Sequence, residues 1–296
     1  MIEWPAAING RRLYLKPENL QPIGAFKLRG AYNKISSLSD AERRRGVVSY
    51  SSGNHGQGVA YAARVMGVKA TIVMPNNAPQ IKRDATAALG ADVIVVGPGS
   101  DERMARAQEL AAQHGYAIVP PYNDEKIIAG QGTIALEILE DLPEVEVVLA
   151  PVGGGGMISG ISAAMKLSKP GVKVIGVEPA LAGDAQASFR SGRIVEFGAD
   201  QVSQTLADGL RTQSIGPINF EHIKAYVDDI VTVTEDEIRE TMRQLARNQK
   251  TVAEPSGSVA VAGFLFHQDE LPKAKVAVAV ISGGNIDPAL LKEVTA

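Results

Sequence analysis

The sequence predicts an α/β protein built on two mostly parallel sheets. Three observations carry this. From Gly46 onward, short apolar runs alternate with longer helix-type patterns. The apolar runs are continuous, as in parallel strands covered by helices on both faces, where a half-solvated sheet would show alternation. Many of the 30 glycines sit between the end of such a run and the start of a helical pattern, where strand-to-helix turns belong. The length of 296 residues suits two domains of roughly 100–200 residues each.

Taken in order, residues 47–50 read as a short strand and 55–66 as an alanine-rich helix. A strand over 69–74 is closed by Pro75, and a helix follows over 79–89. Next come a strand over 92–96, a helix over 101–114 and a strand over 117–119, which complete a small parallel sheet. A second series begins near Glu125: a helix over 127–139, a strand over 145–150, four glycines and another helix. Further strands are predicted over 172–177, 230–233 and 276–281. Thr234 with Glu237 three residues on, ahead of an apolar-periodic run, predicts a capping box. There is no internal repeat and no low-complexity linker.

Composition narrows the function classes. Lys and Arg total 30 against 33 Asp and Glu, a net charge of −3, so no electrostatic footprint for nucleic acid or a membrane surface exists. The absence of cysteine excludes disulfides, thiolate metal sites and a cysteine nucleophile. The first residues lack the charged start and apolar run of a signal peptide, and no apolar stretch approaches the ~18 residues of a membrane span. The expectation is a cytoplasmic globular protein with no nucleic-acid or membrane partner.

The chemistry belongs in the loops beyond the carboxyl ends of the strands. Gly153-Gly154-Gly155-Gly156-Met157 follows a strand and opens a helix. A tight turn alone does not explain four consecutive glycines, given their chain-entropy cost. Free N–H groups of a helix's first turn, approached closely over glycine, suit a phosphate. No Gly-Lys-Ser/Thr follows, so this is not a P-loop. It nearly matches a dinucleotide fingerprint, with Ser159 where Gly or Ala belongs and Glu178 near the ribose position, so a nicotinamide-dependent oxidoreductase is the rival reading. Ser51-Ser52-Gly53-Asn54-His55-Gly56 also joins a strand to a helix and offers N–H groups and hydroxyls to a second anion, or else is an ordinary N-cap. Lys27, between Phe26 and Leu28 at the start of a helix, is a candidate for a lowered pKa and Schiff-base chemistry.

Together, Gly24-Ala25-Phe26-Lys27-Leu28-Arg29-Gly30-Ala31, the Ser51–Gly58 segment, the Gly153–Gly156 run and Ser282-Gly283-Gly284-Asn285 stand in an order and spacing that resemble the pyridoxal-phosphate enzymes of the threonine dehydratase and serine racemase family. The resemblance runs from about Leu13 to Leu290. It implies a large domain (1–45 plus 125–296) and a small mobile domain (46–124), each an open, mostly parallel sheet flanked by helices, with the cofactor in the cleft. It assigns Lys27 the Schiff base, Phe26 a place against the cofactor, Gly153, Gly154, Gly155, Gly156 and Met157 the phosphate, Asn54 the phenolic oxygen and Ser282 the pyridine nitrogen. A hydroxyl partner there leaves the ring a weaker electron sink than a carboxylate would, which suits β-elimination better than transamination. Ser51, Ser52, Asn54 and His55 match the family's substrate-carboxylate loop; the resemblance also implies Arg103 as a further contact and places Ser52 on the opposite face of the cofactor from Lys27.

Glu178, Ala182 and Asp184 match a divalent-cation site found in part of that family; oxygen ligands suit Mg²⁺ or Ca²⁺, and the alternative is an exposed acidic turn. His114, His222 and His267 show no ligand spacing. The implied activity is dehydration of L-threonine or L-serine to a 2-oxo acid and ammonium, in a homodimer. Serine racemisation and 3-hydroxyaspartate dehydration are alternatives on the same scaffold, and a cofactor-binding protein without turnover is an alternative of another class. Ile23 and Ala25 stand where the family more usually has Thr and Ser. The family pattern begins upstream of Met1, and the chain ends soon after Ser282, so feedback inhibition by isoleucine through a C-terminal regulatory domain is not expected.

Overall fold

The computed structural model describes residues 1–51, 53–78, 80–97 and 99–295, with all side chains except those of Ile81 and Ser100. The chain begins with strands β1 (Ile2–Glu3) and β2 (Arg12–Pro17) and helices α1 (Lys27–Ser36) and α2 (Asp40–Arg45). There follow β3 (Val47–Tyr50), α3 (Asn54–Val65), β4 (Ala70–Pro75), α4 (Gln80–Ala88), β5 (Asp92–Val96), α5 (Ser100–His114) and β6 (Ala117–Ile118). Next are α6 (Glu125–Asp141), β7 (Val147–Pro151), α7 (Gly156–Ser168), β8 (Lys173–Pro179), α8 (Asp184–Ser191), α9 (Ala199–Val202) and α10 (Pro217–Tyr226). Then β9 (Asp229–Val233), α11 (Glu235–Gln249), α12 (Pro255–Phe266), β10 (Val276–Ile281) and α13 (Pro288–Thr295) complete the chain.

Two compact units emerge: residues 1–26 with 131–296, and residues 27–130. The first holds a six-stranded sheet in the order β1-β2-β10-β7-β8-β9, parallel except for β1 against β2. Its central strands show why apolar runs were continuous. Val147 and Leu149 of β7 enter the core lined by α11 and α12, whereas Val148 and Ala150 enter the opposite core lined by α7 and α10. β10 divides the same way, with Ala277, Ala279 and Ile281 on one side and Val276, Val278 and Val280 on the other. Side chains alternate across a strand, so two covered faces require an unbroken apolar sequence.

The second unit holds a parallel sheet in the order β5-β4-β3-β6, with Val48 and Val73 packed against Ala107 and Leu110 of α5. Pro75 does not stop β4 early; it is the last residue still paired, opposite Val96. The expected boundaries (1–45 plus 125–296 against 46–124) shift, because α1 and α2 pack with the 46–124 segment. A Cβ on Gly58 of α3 would lie 3.2 Å from the carbonyl carbon of Lys27, and one on Gly130 would lie 2.6 Å from the carbonyl oxygen of Arg29. Lys34 of α1 also pairs with Asp124 at 2.6 Å. Among the described residues no helix is long and apolar enough to cross a membrane.

Candidate active site

In the unit of residues 27–130, Lys27 opens α1. Its Nζ donates to the Pro121 carbonyl at 2.8 Å, and burial lowers the ammonium to about 8. β3 runs into Ser51, and α3 begins at Asn54 after an N-cap at Gly53 that supplies no side-chain oxygen. The N-cap residue itself thus gives the first turn of α3 no side-chain bond, an arrangement suited to an anion. Ser51 Oγ accepts from Gly53 N at 3.3 Å, and a Cβ on Gly56 would lie 2.6 Å from the Ser51 carbonyl oxygen, so only glycine lets the turn close this tightly.

His55, only 3% exposed, lies 3.0 Å by Nε2 from the Val119 carbonyl oxygen. Burial first, and the Lys27 charge second, push its pKa down to about 3, so the ring is neutral. Arg103, in the first turn of α5, is half-buried; its Nε is buried without a hydrogen-bond partner and burial lowers its pKa. That is unlike a solvated surface arginine. Ser52 lies outside the described residues.

The other unit carries the glycine loop. β7 ends at Pro151, and Gly155 is the N-cap of α7 with φ +91°, again with no side-chain cap. A Cβ there would meet Asn219 Cβ at 2.9 Å, so both the left-handed backbone and the contact demand glycine. A Cβ on Gly153 would lie 3.3 Å from Leu210 Cα, and Met157, 4% exposed, packs into the core beneath the loop. The uncapped N–H groups of a thirteen-residue helix meet the requirement for a phosphate site.

At the end of β10, Ser282 is 4% exposed and its Oγ donates to the Ser256 carbonyl over a long 3.3 Å, a bond readily exchanged for a better acceptor. Its own carbonyl accepts from Phe26 N at 3.0 Å, and Ala25, fully buried, bridges to Gly283. Sequence reasoning missed what holds this corner. Gly257, in the first turn of α12, lies so close to the Gly283 carbonyl that no side chain fits, and Ser256 Oγ accepts from Gly209 N at 2.9 Å. The available signal was Pro255 followed by Ser256-Gly257-Ser258, a helix start placed for close backbone approach.

Glu178, Ala182 and Asp184 are all fully buried, which removes the exposed-turn alternative. Glu178 Oε1 accepts from Ala185 N at 3.1 Å and Oε2 from Gln186 N at 2.8 Å, so the carboxylate is turned onto α8 and, fully buried, presents no exposed oxygen to a ribose. Asp184 is different: neither carboxylate oxygen has a hydrogen-bond partner. Burial, and for Glu178 also the Asp184 charge, raises both pKa values, Asp184 to about 7 and Glu178 well above the usual range. A buried carboxylate without partners needs a proton or a cation. Among the described residues no cluster of three or more His, Cys, Asp or Glu could hold a metal, so a cation here would draw further ligands from carbonyls and water, as Mg²⁺ and Ca²⁺ do.

Residues 2–283 match the family model described as "Pyridoxal-phosphate dependent enzyme". The chain belongs to that family. Pyridoxal phosphate is thus the group for which the uncapped glycine loop and the buried Lys27 amine are suited. Among its relatives is an L-threonine ammonia-lyase of Thermotoga maritima, 50% identical over 289 residues, which cover 97% of this chain and 70% of that protein. An L-threo-3-hydroxyaspartate ammonia-lyase of Saccharomyces cerevisiae is 45% identical over 278 residues (94% of this chain, 84% of that one). The serine racemase structure of Dictyostelium discoideum superposes with a TM-score of 0.88 at 38% identity, covering 94% of this chain and 89% of that one.

Proposed function

We propose that this chain is a pyridoxal-phosphate-dependent ammonia-lyase that dehydrates a 3-hydroxy amino acid, L-threonine or L-serine first. The observation that carries the reading is Lys27, an amine kept by burial at about 8 within the motif position of the Schiff-base lysine. When bound, pyridoxal phosphate condenses with amines through its aldehyde and withdraws electron density from the substrate's Cα. The remaining work falls to the chain. N–H groups over Gly153, Gly154, Gly155, Gly156 and Met157 would bind the phosphate, Asn54 would hold the phenolic oxygen, and Phe26 would flank the ring. Ser282 would meet the pyridine nitrogen with a hydroxyl, which would leave that nitrogen without a fixed proton.

Ser51, Ser52, Asn54 and His55 orient the substrate carboxylate, partly by backbone N–H. Displaced from the cofactor by the substrate amine, Lys27 takes the Cα proton. The β-hydroxyl would depart as water, taking up the proton that Lys27 removed from Cα, and the released enamine would be hydrolysed by a second water to the 2-oxo acid and ammonium. A second reading has support of its own. The buried Nε of Arg103 without a partner suits the extra carboxylate of a 3-hydroxyaspartate, the substrate in the name of the yeast relative. A proton delivered to Cα from Ser52 instead would racemise serine. Glu178, Ala182 and Asp184 would hold Mg²⁺ or Ca²⁺. A homodimer in the cytoplasm completes the reading, and sedimentation tests the dimer.

The deciding experiment records the visible spectrum and 2-oxo acid release as L-threonine, L-serine and 3-hydroxyaspartate are added in turn. A yellow protein whose band shifts with one of them, releasing the matching oxo acid, supports the reading; Lys27→Ala should lose the band and the activity together. Full turnover by Lys27→Ala would overturn it.

A further inference from the structure

Between β6 and α6 the chain reads Val119-Pro120-Pro121-Tyr122-Asn123-Asp124. Two successive prolines have no N–H to anchor them and fix φ near −65°, so the Pro121 carbonyl goes where Val119 is held. Val119 is held three ways. Its N–H donates to Val48 O at 2.9 Å, and its carbonyl accepts from Ser49 Oγ at 2.7 Å and from His55 Nε2 at 3.0 Å. Ser49 is fully buried on β3 and His55 nearly so on α3. Because the acceptor is a carbonyl, Nε2 carries the ring proton. The far end of the strap is tied too: Asp124 Oδ1 accepts from Lys126 N and Ile127 N, and Oδ2 pairs with Lys34 of α1. The helix that begins with Lys27 and the helix that begins with Asn54 thus grip one short strap, and the Pro121 carbonyl on it accepts Lys27 Nζ at 2.8 Å.

We propose that Ser49 and His55 are positioning residues that, through the Val119–Pro121 strap, hold the Pro121 carbonyl as the resting acceptor of the Lys27 amine. This rests on Lys27 being the Schiff-base lysine. Whenever Lys27 is not covalently engaged, its ammonium returns to one site beside the carboxylate-binding turn, poised to re-form its bond. An acceptor carbonyl favours the charged amine and so works against the burial that lowers it. A strap that drifts weakens that opposition to burial, and the amine loses its proton at lower pH. His55 is the titratable group set against Lys27; it is neutral above about 3, so replacing it changes no charge near neutrality.

The test is the rate at which cofactor-free full-length protein recaptures pyridoxal phosphate, followed by growth of the visible band across the neutral to alkaline range. Only the unprotonated amine attacks an aldehyde, so the rate rises with pH through the amine's pKa. Ser49→Ala and His55→Leu should each lower that midpoint by about 0.5 pH unit, and His55→Gln, which keeps an N–H donor, should return it toward the native value. A midpoint unmoved in Ser49→Ala, whatever happens to the plateau rate or Tm, overturns the proposal, because a merely structural loss slows recapture without moving its midpoint. Should His55→Leu fail to fold, Ser49→Ala decides alone. A band that still forms in Lys27→Ala sinks the assignment of Lys27 instead, and so separates the two failures.

Discussion

A lysine at about 8 is about a tenth unprotonated at pH 7, where an exposed lysine would be well under a hundredth. In the proposed reaction, that difference would let Lys27 act as a base on Cα without ceasing to be an acid when its proton must be returned. The pH dependence follows with a definite sign: once substrate has displaced Lys27, the unprotonated amine is the active form, so kcat should climb as pH rises through about 8 and then level. A profile flat from pH 6 upward would contradict this role. Lys27→Arg keeps a cation but cannot form a Schiff base, and should lose both the visible band and measurable turnover. Lys27 was legible in the sequence because its glycine neighbours and helix start form a pattern. Ser49 was not, because a single serine inside an apolar strand has no pattern, and its importance lies in a carbonyl 70 residues away.

At the scale of elements, the turn from β7 into α7 is tightly constrained. Gly155→Ala puts an L side chain at φ +91° and a methyl 2.9 Å from Asn219 Cβ. Strain of about 1–3 kcal/mol is expected, and it should surface as weaker cofactor retention, measured by dialysis against buffer, as well as a lower Tm. The start of α11 carries a different kind of sensitivity. Thr234 and Glu237 form the expected capping box, and His267 sets Nε2 against Glu237 at 3.2 Å and Nδ1 against Glu270 at 2.7 Å. Burial pulls His267 down, but the bonds to Glu270 and Glu237 outweigh it and its pKa is raised; Glu237, although burial acts upward, is lowered by Thr234 and His267. The raised histidine stabilises the fold fully below its unfolded value near 6.5 and loses that contribution as pH rises through its folded value. The lowered Glu237 contributes above its unfolded value near 4.5 and loses it as pH falls. Stability should therefore show a local maximum between these limits that flattens in His267→Gln, which thermal melts across that range would reveal. β7 and β10 were legible because two buried faces write an unbroken apolar run. α12 was not, because it is buried on nearly every side and so lacks the 3.6-residue polar rhythm by which a helix is recognised.

For the whole molecule, the open account is the buried acid pair of Glu178 and Asp184 at the carboxyl end of β8. Glu178 is matched by two N–H groups. Asp184 has no such match: neither of its carboxylate oxygens has a hydrogen-bond partner. The motif made this site visible in outline but not its debt, since sequence alone could not tell a buried pair from an exposed acidic turn. A divalent cation that binds the folded chain and not the unfolded one stabilises it by mass action, by about 2.7 kcal/mol at a hundredfold excess over Kd. For a chain of this length that is a rise in Tm on the order of 5 °C. Mg²⁺ or Ca²⁺ added to chelator-treated protein should produce the rise, and a chelator should reverse it. Asp184→Asn keeps the shape, removes the negative charge, and should abolish the response while leaving the melting of the metal-free protein equal or higher. An equal rise in native protein and Asp184→Asn would place the cation elsewhere; no rise with either ion would mean that a proton, and not a metal, keeps the pair.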